Sequence, residues 1–514
     1  MPILDRPATI VAAVAYLAVV VAIGVWAARR TRSAKDFFIA GQGVGLVVTG
    51  LATTTAAFSG FVFLGGPGLT YRMGAASFWI CVSTSFTAAM LVWVVGKRLR
   101  LMAAVEEIYT VPDAVFARYG SRRASGLAAV AVVVGTVGYL GAQLLALGIL
   151  VESIFGLRAL LGDAALPAAM AAGLLVVLFY ATAGGMLAGV WTDLFQGALM
   201  MGAAVAVFAY ALDAGGGIGG ITRSIAASER FGPAFLDPVG TVPALTGLGL
   251  FFVFSVGTLG QPHMLHKFYM LDDPRKLRWL PLVIAVSQSV CLLIWIGVGL
   301  AVPALVARGA LPPLANPDEA APAFLLAHVP DALAGLVFAG VLAAIMSTAD
   351  SFLNVGAAAL VRDLPRAAGR PLADELRWGR LATVGLGVAA AAFAWAYGDL
   401  IALLGTFAFG TFGAALAPAL AVGLNWRRVP AAAASASIAT GLVLNLVLEF
   451  LDRQTFFPAL PKPPLAEGAL PTAVSLAASF AVLLLVTWIA PRRRAARAGT
   501  AASAGSAASP AAGP

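Results

Sequence analysis

The run Ser59-Gly60-Phe61-Val62-Phe63-Leu64-Gly65-Gly66-Pro67-Gly68 interrupts an otherwise apolar stretch with a serine, four glycines and a proline. Such residues free backbone amides and carbonyls, which hydrocarbon tolerates only where they line a cavity or meet other protein. About 200 residues later a second apolar stretch is broken in the same manner, at Gly257, Gly260 and the turn Gly260-Gln261-Pro262-His263. Interrupted helices at matched places in two halves are the strongest pointer in a sequence to a midplane binding site in a transporter. Either break alone also fits close-packing glycines or a plain proline kink. Together they predict two five-helix repeats, over residues 43–213 and 242–423.

Outward from these breaks the chain stays apolar. Of its 514 residues 61% are hydrophobic and 11% charged, against roughly 25% charged in a soluble domain. About 20 apolar residues cross a bilayer, and thirteen such stretches are centred near residues 18, 55, 85, 137, 174, 201, 253, 293, 343, 387, 411, 439 and 480. The expected fold is therefore an all-α polytopic membrane protein. A leading helix and basic loop occupy residues 1–42, and an external loop (214–241) separates the repeats. Two trailing helices occupy 424–494, and a disordered cytoplasmic tail 495–514. The Ala/Gly/Ser/Pro composition of that tail lacks the apolar bulk to order itself.

Alternate connections collect the basic residues, as cytoplasmic loops should: Arg29 to Lys35, Lys97 to Arg123, Lys267 to Arg278, Arg362 to Arg380, Arg427 and Arg428, and Arg492 to Arg497 hold 25 of the 33 lysines and arginines. An odd number of spans then puts the N-terminus outside and the C-terminus in the cytoplasm, in a cell (inner) membrane. The net charge of +9 follows from this topology, because a nucleic-acid surface would gather its charge on one soluble module. The first apolar run is followed by its arginines, the reverse of a cleavable signal peptide. Cys81 and Cys291 sit in apolar runs and form no disulfide or zinc framework. No phosphate-binding loop, metal-ligand cluster or nucleophile triad argues for an enzyme or an ATP-driven pump.

Ionisable groups at membrane depth need a reason. Asp193 follows Gly184-Gly185 and Trp191-Thr192 at the start of the sixth span, where a helix N-cap and a cation ligand are equally good readings. In the ninth span Ala344, Ser347, Thr348 and Ser351 fall at i, i+3, i+4 and i+7, a stripe of small and hydroxylated residues with Asp350 beside it. Hydroxyls and freed carbonyls suit a hard cation such as sodium. The same stripe suits close helix packing, and the residues alone favour packing. His263 reads as a structural turn at the inner end of the seventh span, His266 and His328 as loop residues, Gln143 as a bridge between helices, and Glu152 as interfacial.

Four segments in order, Ser59-Gly60 to Pro67-Gly68, Gly184-Gly185 to Gln196, Gly260 to His263, and Ala344 to Thr348, resemble the sodium:solute symporter family, with its proline-transporter branch nearest. The likeness runs over about residues 5–490. It implies a leucine-transporter-type core of two inverted five-helix repeats with broken helices, and a sodium site between the second and ninth spans. The matching positions are the backbone oxygens of Thr55, Phe58 and Ala344 and the hydroxyls of Ser347 and Thr348. A second cation site implied for some members falls on Asp193, Ser347, Asp350 and Ser351, and a substrate cavity on Ser59, Phe61, Tyr139 and Phe254. The proline branch carries an aspartate where this chain has Ala57, a departure that argues against proline itself.

The expected activity is sodium-coupled import of a small organic solute by alternating access, with sodium as the coupling ion and no organic cofactor. Proton coupling through Asp193 or Asp350 and a solute-sensing role are the alternatives. The partners expected are the solute and the bilayer, with no nucleic acid, and function as a monomer. Amino acids and short monocarboxylates rank ahead of sugars, because an aromatic cavity disfavours heavily hydroxylated solutes.

Overall fold

The computed structural model describes residues 7–29, 42–397, 400–453 and 470–490. The expected tail, most of the first basic loop and the external loop over 454–469 lie outside them. Each of the thirteen expected centres falls within a helix. Eleven helical stretches among the described residues are long and apolar enough to cross a membrane, and Pro7–Ile23 and Leu46–Ala57 are shorter apolar helices. Among the described residues every named element is a helix and none is a strand.

The helices do not sort into polar and apolar faces in the ordinary way. The ninth span, Asp331–Ala358, is buried along nearly its whole length, and so is the eleventh, Ile401–Ala421. The fifth, tenth and thirteenth spans instead expose Leu175, Trp395 and Trp488, the lipid-facing surface expected when hydrocarbon is the solvent. The ninth span packs against the first, fourth, sixth and tenth, so it forms the axis of the bundle.

Both expected breaks are present. The second span runs as Leu46–Ala57, leaves helical geometry at Phe58 (φ −99°, ψ 98°), and resumes through Phe61–Gly65 into Gly66–Met73. The seventh runs as Ala244–Val256, tightens over Gly257–Gly260, extends at Gln261 (φ −80°, ψ 102°), and restarts as Pro262–Tyr269. Proline at a helix start loses nothing, since its missing N–H would be unpaired there in any case. Glycine is required by space at both breaks. A Cβ on Gly60 would lie 2.6 Å from Ala146 Cβ, and one on Gly260 2.7 Å from the Ala417 nitrogen and the Phe412 carbonyl oxygen.

At one end of the bundle the connections over residues 214–241 and 308–331 fold back over the helices. Trp79 Nε1 donates to the Pro238 carbonyl at 3.1 Å, the Leu314 amide donates to Tyr71 Oη at 3.1 Å, and the Ile401 amide donates to Asp318 Oδ2 at 2.8 Å. At the opposite end, where the arginine-rich connections gather, Arg362 joins Asp113 (3.1 Å) to Glu375 (3.0 Å). Its guanidinium lies 4.0 Å from the centre of the Tyr109 ring. Thr110 donates to Asp363 at 2.8 Å and its carbonyl accepts from Tyr269 Oη at 3.0 Å. This cluster ties the ninth span to the connection after the third and to the start of the tenth.

Candidate functional site

The last four carbonyls of a helix have no intrahelical partner. In the second span the Phe58 amide closes the helix on the Thr54 carbonyl at 2.7 Å, which leaves the Thr55 and Ala56 oxygens beyond the ladder. Thr348 Oγ1 of the ninth span lies 2.9 Å from the Thr55 carbonyl oxygen, 3.4 Å from that of Ala56 and 3.0 Å from that of Ala344. Thr55, Ala344, Ser347 and Thr348 are buried, and Phe58 nearly so. The helix dipole adds negative potential at the same end. Carbonyl and hydroxyl oxygens at a negative helix terminus, in the absence of water, form a donor set suited to a small hard cation. Three of the five residues expected there, Thr55, Ala344 and Thr348, are thus brought together; Ser347 precedes Thr348 with its hydroxyl turned to Asp193, and Phe58 supplies the extended residue at the break.

Asp193 lies inside the sixth span, Gly189–Gly215, four residues past its beginning, so it is not an N-cap. Ser347 Oγ donates to Asp193 Oδ1, and Lys267 Nζ donates to Asp193 Oδ2 at 3.0 Å. The lysine and aspartate side chains are 0% and 1% exposed. Lys267, counted above among loop residues, therefore belongs to the interior. The helix that Pro262 restarts runs on to Tyr269 and carries Lys267 into the bundle. His266 sits buried on that helix, and His328 closes the helix Ala320–His328, so neither is a loop residue. His263 is not in a turn; its ring packs 4.1 Å from that of Phe352.

Asp350 and Ser351 face the same interior. Asp350 Oδ1 accepts from Asn354 Nδ2 at 3.1 Å, while Asp350 Oδ2 and Ser351 Oγ are buried without a hydrogen bond. Asp350 lies within electrostatic reach of both Lys267 and Asp193. Of the four residues expected to form a second cation site, Ser347 and Asp193 are hydrogen-bonded to each other, and the Asp193 carboxylate already meets a lysine ammonium.

Beside the break lies a cavity with an empty volume of about 510 Å³. Phe61, Tyr139 and Phe254 line it as expected, and so do Phe58 and Ala57. The rings of Phe61 and Phe254 stack at 5.5 Å, Phe254 and Phe409 at 4.6 Å, and Trp295 meets Phe61 edge-on at 5.7 Å. Ser59 is not in the lining: its Oγ accepts from the Phe61 amide at 3.1 Å and is hydrogen-bonded to Tyr139. Gln143 bridges as expected, its Oε1 accepting from the Gly60 amide at 3.2 Å. Sequence reasoning missed Ser83, Thr84 and Thr87 of the third span, Thr258 of the seventh, and Gln288 and Trp295 of the eighth. Thr258 lies within the second break, between Gly257 and Gly260, and could have been found there; no break or charge marks the others.

Known proteins agree with this architecture. The sodium/pantothenate symporter of Escherichia coli K12 is 28% identical over 469 residues, covering 87% of this chain and 92% of that protein. The osmoregulated proline transporter OpuE of Bacillus subtilis 168 is 28% identical over 446 residues, covering 84% and 87%. Among solved structures, a Na+-coupled sialic acid symporter in a substrate-bound outward-open state superposes with a TM-score of 0.71 at 17% identity, over 94% of this chain and 98% of the other. A nucleobase-cation-symport-1 family transporter in a closed conformation does so at 0.54 and 16%, over 90% and 97%. The fold is accordingly that of the leucine-transporter-type symporters. A family model described as the sodium:solute symporter family matches residues 37–441, and the chain, a multi-pass membrane transporter, belongs to that family.

Proposed function

We propose that this transporter imports a small organic solute, an amino acid or a short monocarboxylate, together with sodium by alternating access. The observation that carries the reading is the gathering of the Thr55 and Ala344 carbonyls around the Thr348 hydroxyl at the end of a broken helix, with Ser347 the residue before it. The break itself also lines the cavity through Phe58 and Phe61. A sodium ion held there neutralises the helix end and fixes the break in the shape the solute meets. Binding of the two is therefore linked through one short backbone segment.

A donor in Ser347 does not disqualify it as a ligand. Its hydroxyl proton goes to Asp193, and its lone pairs remain for the ion. A second coupling cation is held by Asp350 Oδ2 and Ser351 Oγ, two buried oxygens without a hydrogen bond, with Ser347 and Asp193 completing the set.

One sodium crossing about 100 mV down a tenfold gradient supplies about 3.7 kcal/mol, enough for a few-hundredfold accumulation of a neutral solute. The Arg362 cluster faces the cytoplasm in this reading, the N-terminus lies outside, and the cluster closes the inner face while the cavity loads. The test is uptake into proteoliposomes of amino acids, monocarboxylates and sugars under an imposed sodium or proton gradient. Accumulation driven by sodium and lost in the double variant Ser347→Ala/Thr348→Ala is expected. Accumulation by a proton gradient alone would refute sodium coupling.

A further inference from the structure

The fourth, fifth and tenth spans touch one another at close-packed points. A Cβ on Gly387 of the tenth would lie 2.9 Å from Leu174 and Leu178 of the fifth, and one on Gly141 of the fourth 3.2 Å from the Ala390 carbonyl oxygen of the tenth. Beyond these contacts, toward the connection over residues 308–331, the three helices part around an open cleft with an empty volume of about 930 Å³. Its walls are apolar: Ile149 of the fourth span, Leu166 and Met170 of the fifth, and Trp395 of the tenth. Trp395 is 64% exposed and belongs to the lipid-facing surface described above, so the cleft opens to the bilayer. Hydrocarbon is its solvent.

The rim of the cleft changes character. Asn316 and Asp318 form its polar end, and Asp318 holds the Ile401 amide at the start of the eleventh span. Arg158, just past the fourth span, is exposed at the same rim. Its Nε lies 3.3 Å from Glu152, and its Nη1 lies 3.9 Å from Glu319, the neighbour of Asp318. A guanidinium has five N–H groups in a fork that suits phosphate, so Arg158 keeps donors for a further oxyanion. Tryptophan near the end of a span marks the headgroup level of a bilayer, which is where Trp395 stands. Apolar walls, then an indole, then a guanidinium between two carboxylates reproduce the depth order of a phospholipid: chain, ester level, phosphate and ammonium.

We propose that the cleft binds a phospholipid whose head carries a primary ammonium, of the phosphatidylethanolamine kind. One acyl chain lies between Met170 and Trp395, the phosphate meets Arg158, and the ammonium meets Glu319 and Glu152. An apolar cleft open to lipid holds a chain because water finds no polar partners along its walls. An anionic head without an ammonium, as in phosphatidylglycerol, satisfies the guanidinium but brings its charge beside two carboxylates that it cannot neutralise. The bound lipid reaches the transport machinery through Leu400, which lines the cleft and leads into the eleventh span. Gly405 of that span makes room for the second-span break, since a Cβ there would lie 2.6 Å from the Phe61 ring. An occupied cleft braces the helix on which that ring rests.

The experiment offers delipidated, purified full-length transporter equal amounts of phosphatidylethanolamine and phosphatidylglycerol with the same acyl chains, and counts the retained lipid by native mass spectrometry. Phosphatidylethanolamine is expected to be retained about tenfold over phosphatidylglycerol. Leu166→Trp, which fills the cleft from a half-buried position, should lower retention of both lipids about tenfold. Arg158→Gln should weaken phosphatidylethanolamine by a similar factor, and Glu319→Gln should shrink the preference between the two heads. Thermal midpoints in lipid-free detergent show whether Leu166→Trp keeps its fold, and the two rim variants decide the matter if it does not. Phosphatidylglycerol retained as well as phosphatidylethanolamine, or no lipid retained at all, overturns the inference. So does parental retention in a folded Leu166→Trp, or in both rim variants.

Discussion

Lys267 Nζ and Asp193 Oδ2 lie 3.0 Å apart with neither side chain reaching solvent. The pair joins the second half of a broken helix to the sixth span, and through Ser347 it touches the residues proposed to hold sodium. Removing one partner of a buried pair strands the other charge and typically costs about 3–5 kcal/mol, whereas removing both is often close to neutral. Lys267→Met and Asp193→Leu are therefore each expected to lower the thermal midpoint of the purified protein sharply, and the double variant should recover more than half of the loss. Strictly additive effects in a double-mutant cycle would show that the two side chains do not act as a pair.

Losing one oxygen from the cation set should weaken sodium binding on the order of tenfold or more. Ser347→Ala and Thr348→Ala should each raise the half-saturating sodium concentration for uptake by that factor. Thr348→Ser, which keeps the hydroxyl near the Thr55 and Ala344 carbonyls, should stay close to the parent. The readout is the sodium dependence of uptake at fixed solute, and an unchanged dependence in both alanine variants would move the ion elsewhere.

On the proposed topology Arg362, 3% exposed between Asp113 and Glu375, holds the inner face closed. Arg362→Gln keeps bulk but removes both ion pairs, so the inner face should open more often. A cysteine placed at Val355, which lines a small inner cavity with His266 and Asp363, reports on this once Cys81 and Cys291 are replaced. Its labelling rate from the inner side should rise about tenfold in the Arg362→Gln background. No rise would mean that the cluster is structural cement only.

Outside the spans, burial pushes the Asp318 carboxyl up to about 7, against the opposing hydrogen bond from the Ile401 amide. A carboxyl raised in the folded state binds its proton more readily there than when unfolded. The folded form is thus favoured below the ordinary carboxylate range and loses that advantage as pH climbs from about 4 to about 7. The thermal midpoint should fall over that window, and Asp318→Asn should flatten the part of the slope due to this residue. A parent and variant with parallel pH profiles would rule Asp318 out as the source.

The fold was legible because hydrocarbon demands long apolar runs and because Gly60 and Gly260 cannot be replaced where backbones nearly touch. The oxygens proposed to hold sodium stand out in the sequence only as the stripe Ala344, Ser347, Thr348 and Ser351, whose residues alone favour packing, and it is the family resemblance that assigns them a cation. Lys267 was not, since a basic residue four positions after a histidine looks like the start of a loop until the helix from Pro262 is seen to continue. Ser83, Thr84 and Gln288 were hidden for a different reason. Hydroxyls and amides are common in membrane helices, and only the cavity tells which of them face a solute.

In the proposed sodium reading Phe58 gives the ion its carbonyl, while its ring lines the cavity. A carbonyl is common to all twenty amino acids, so the ion's claim on this position survives any change of side chain that keeps the extended backbone. The ring carries no such obligation. Replacements there can reshape what the cavity accepts while the driving ion keeps its oxygen, which gives one scaffold a way to change its cargo without changing its fuel.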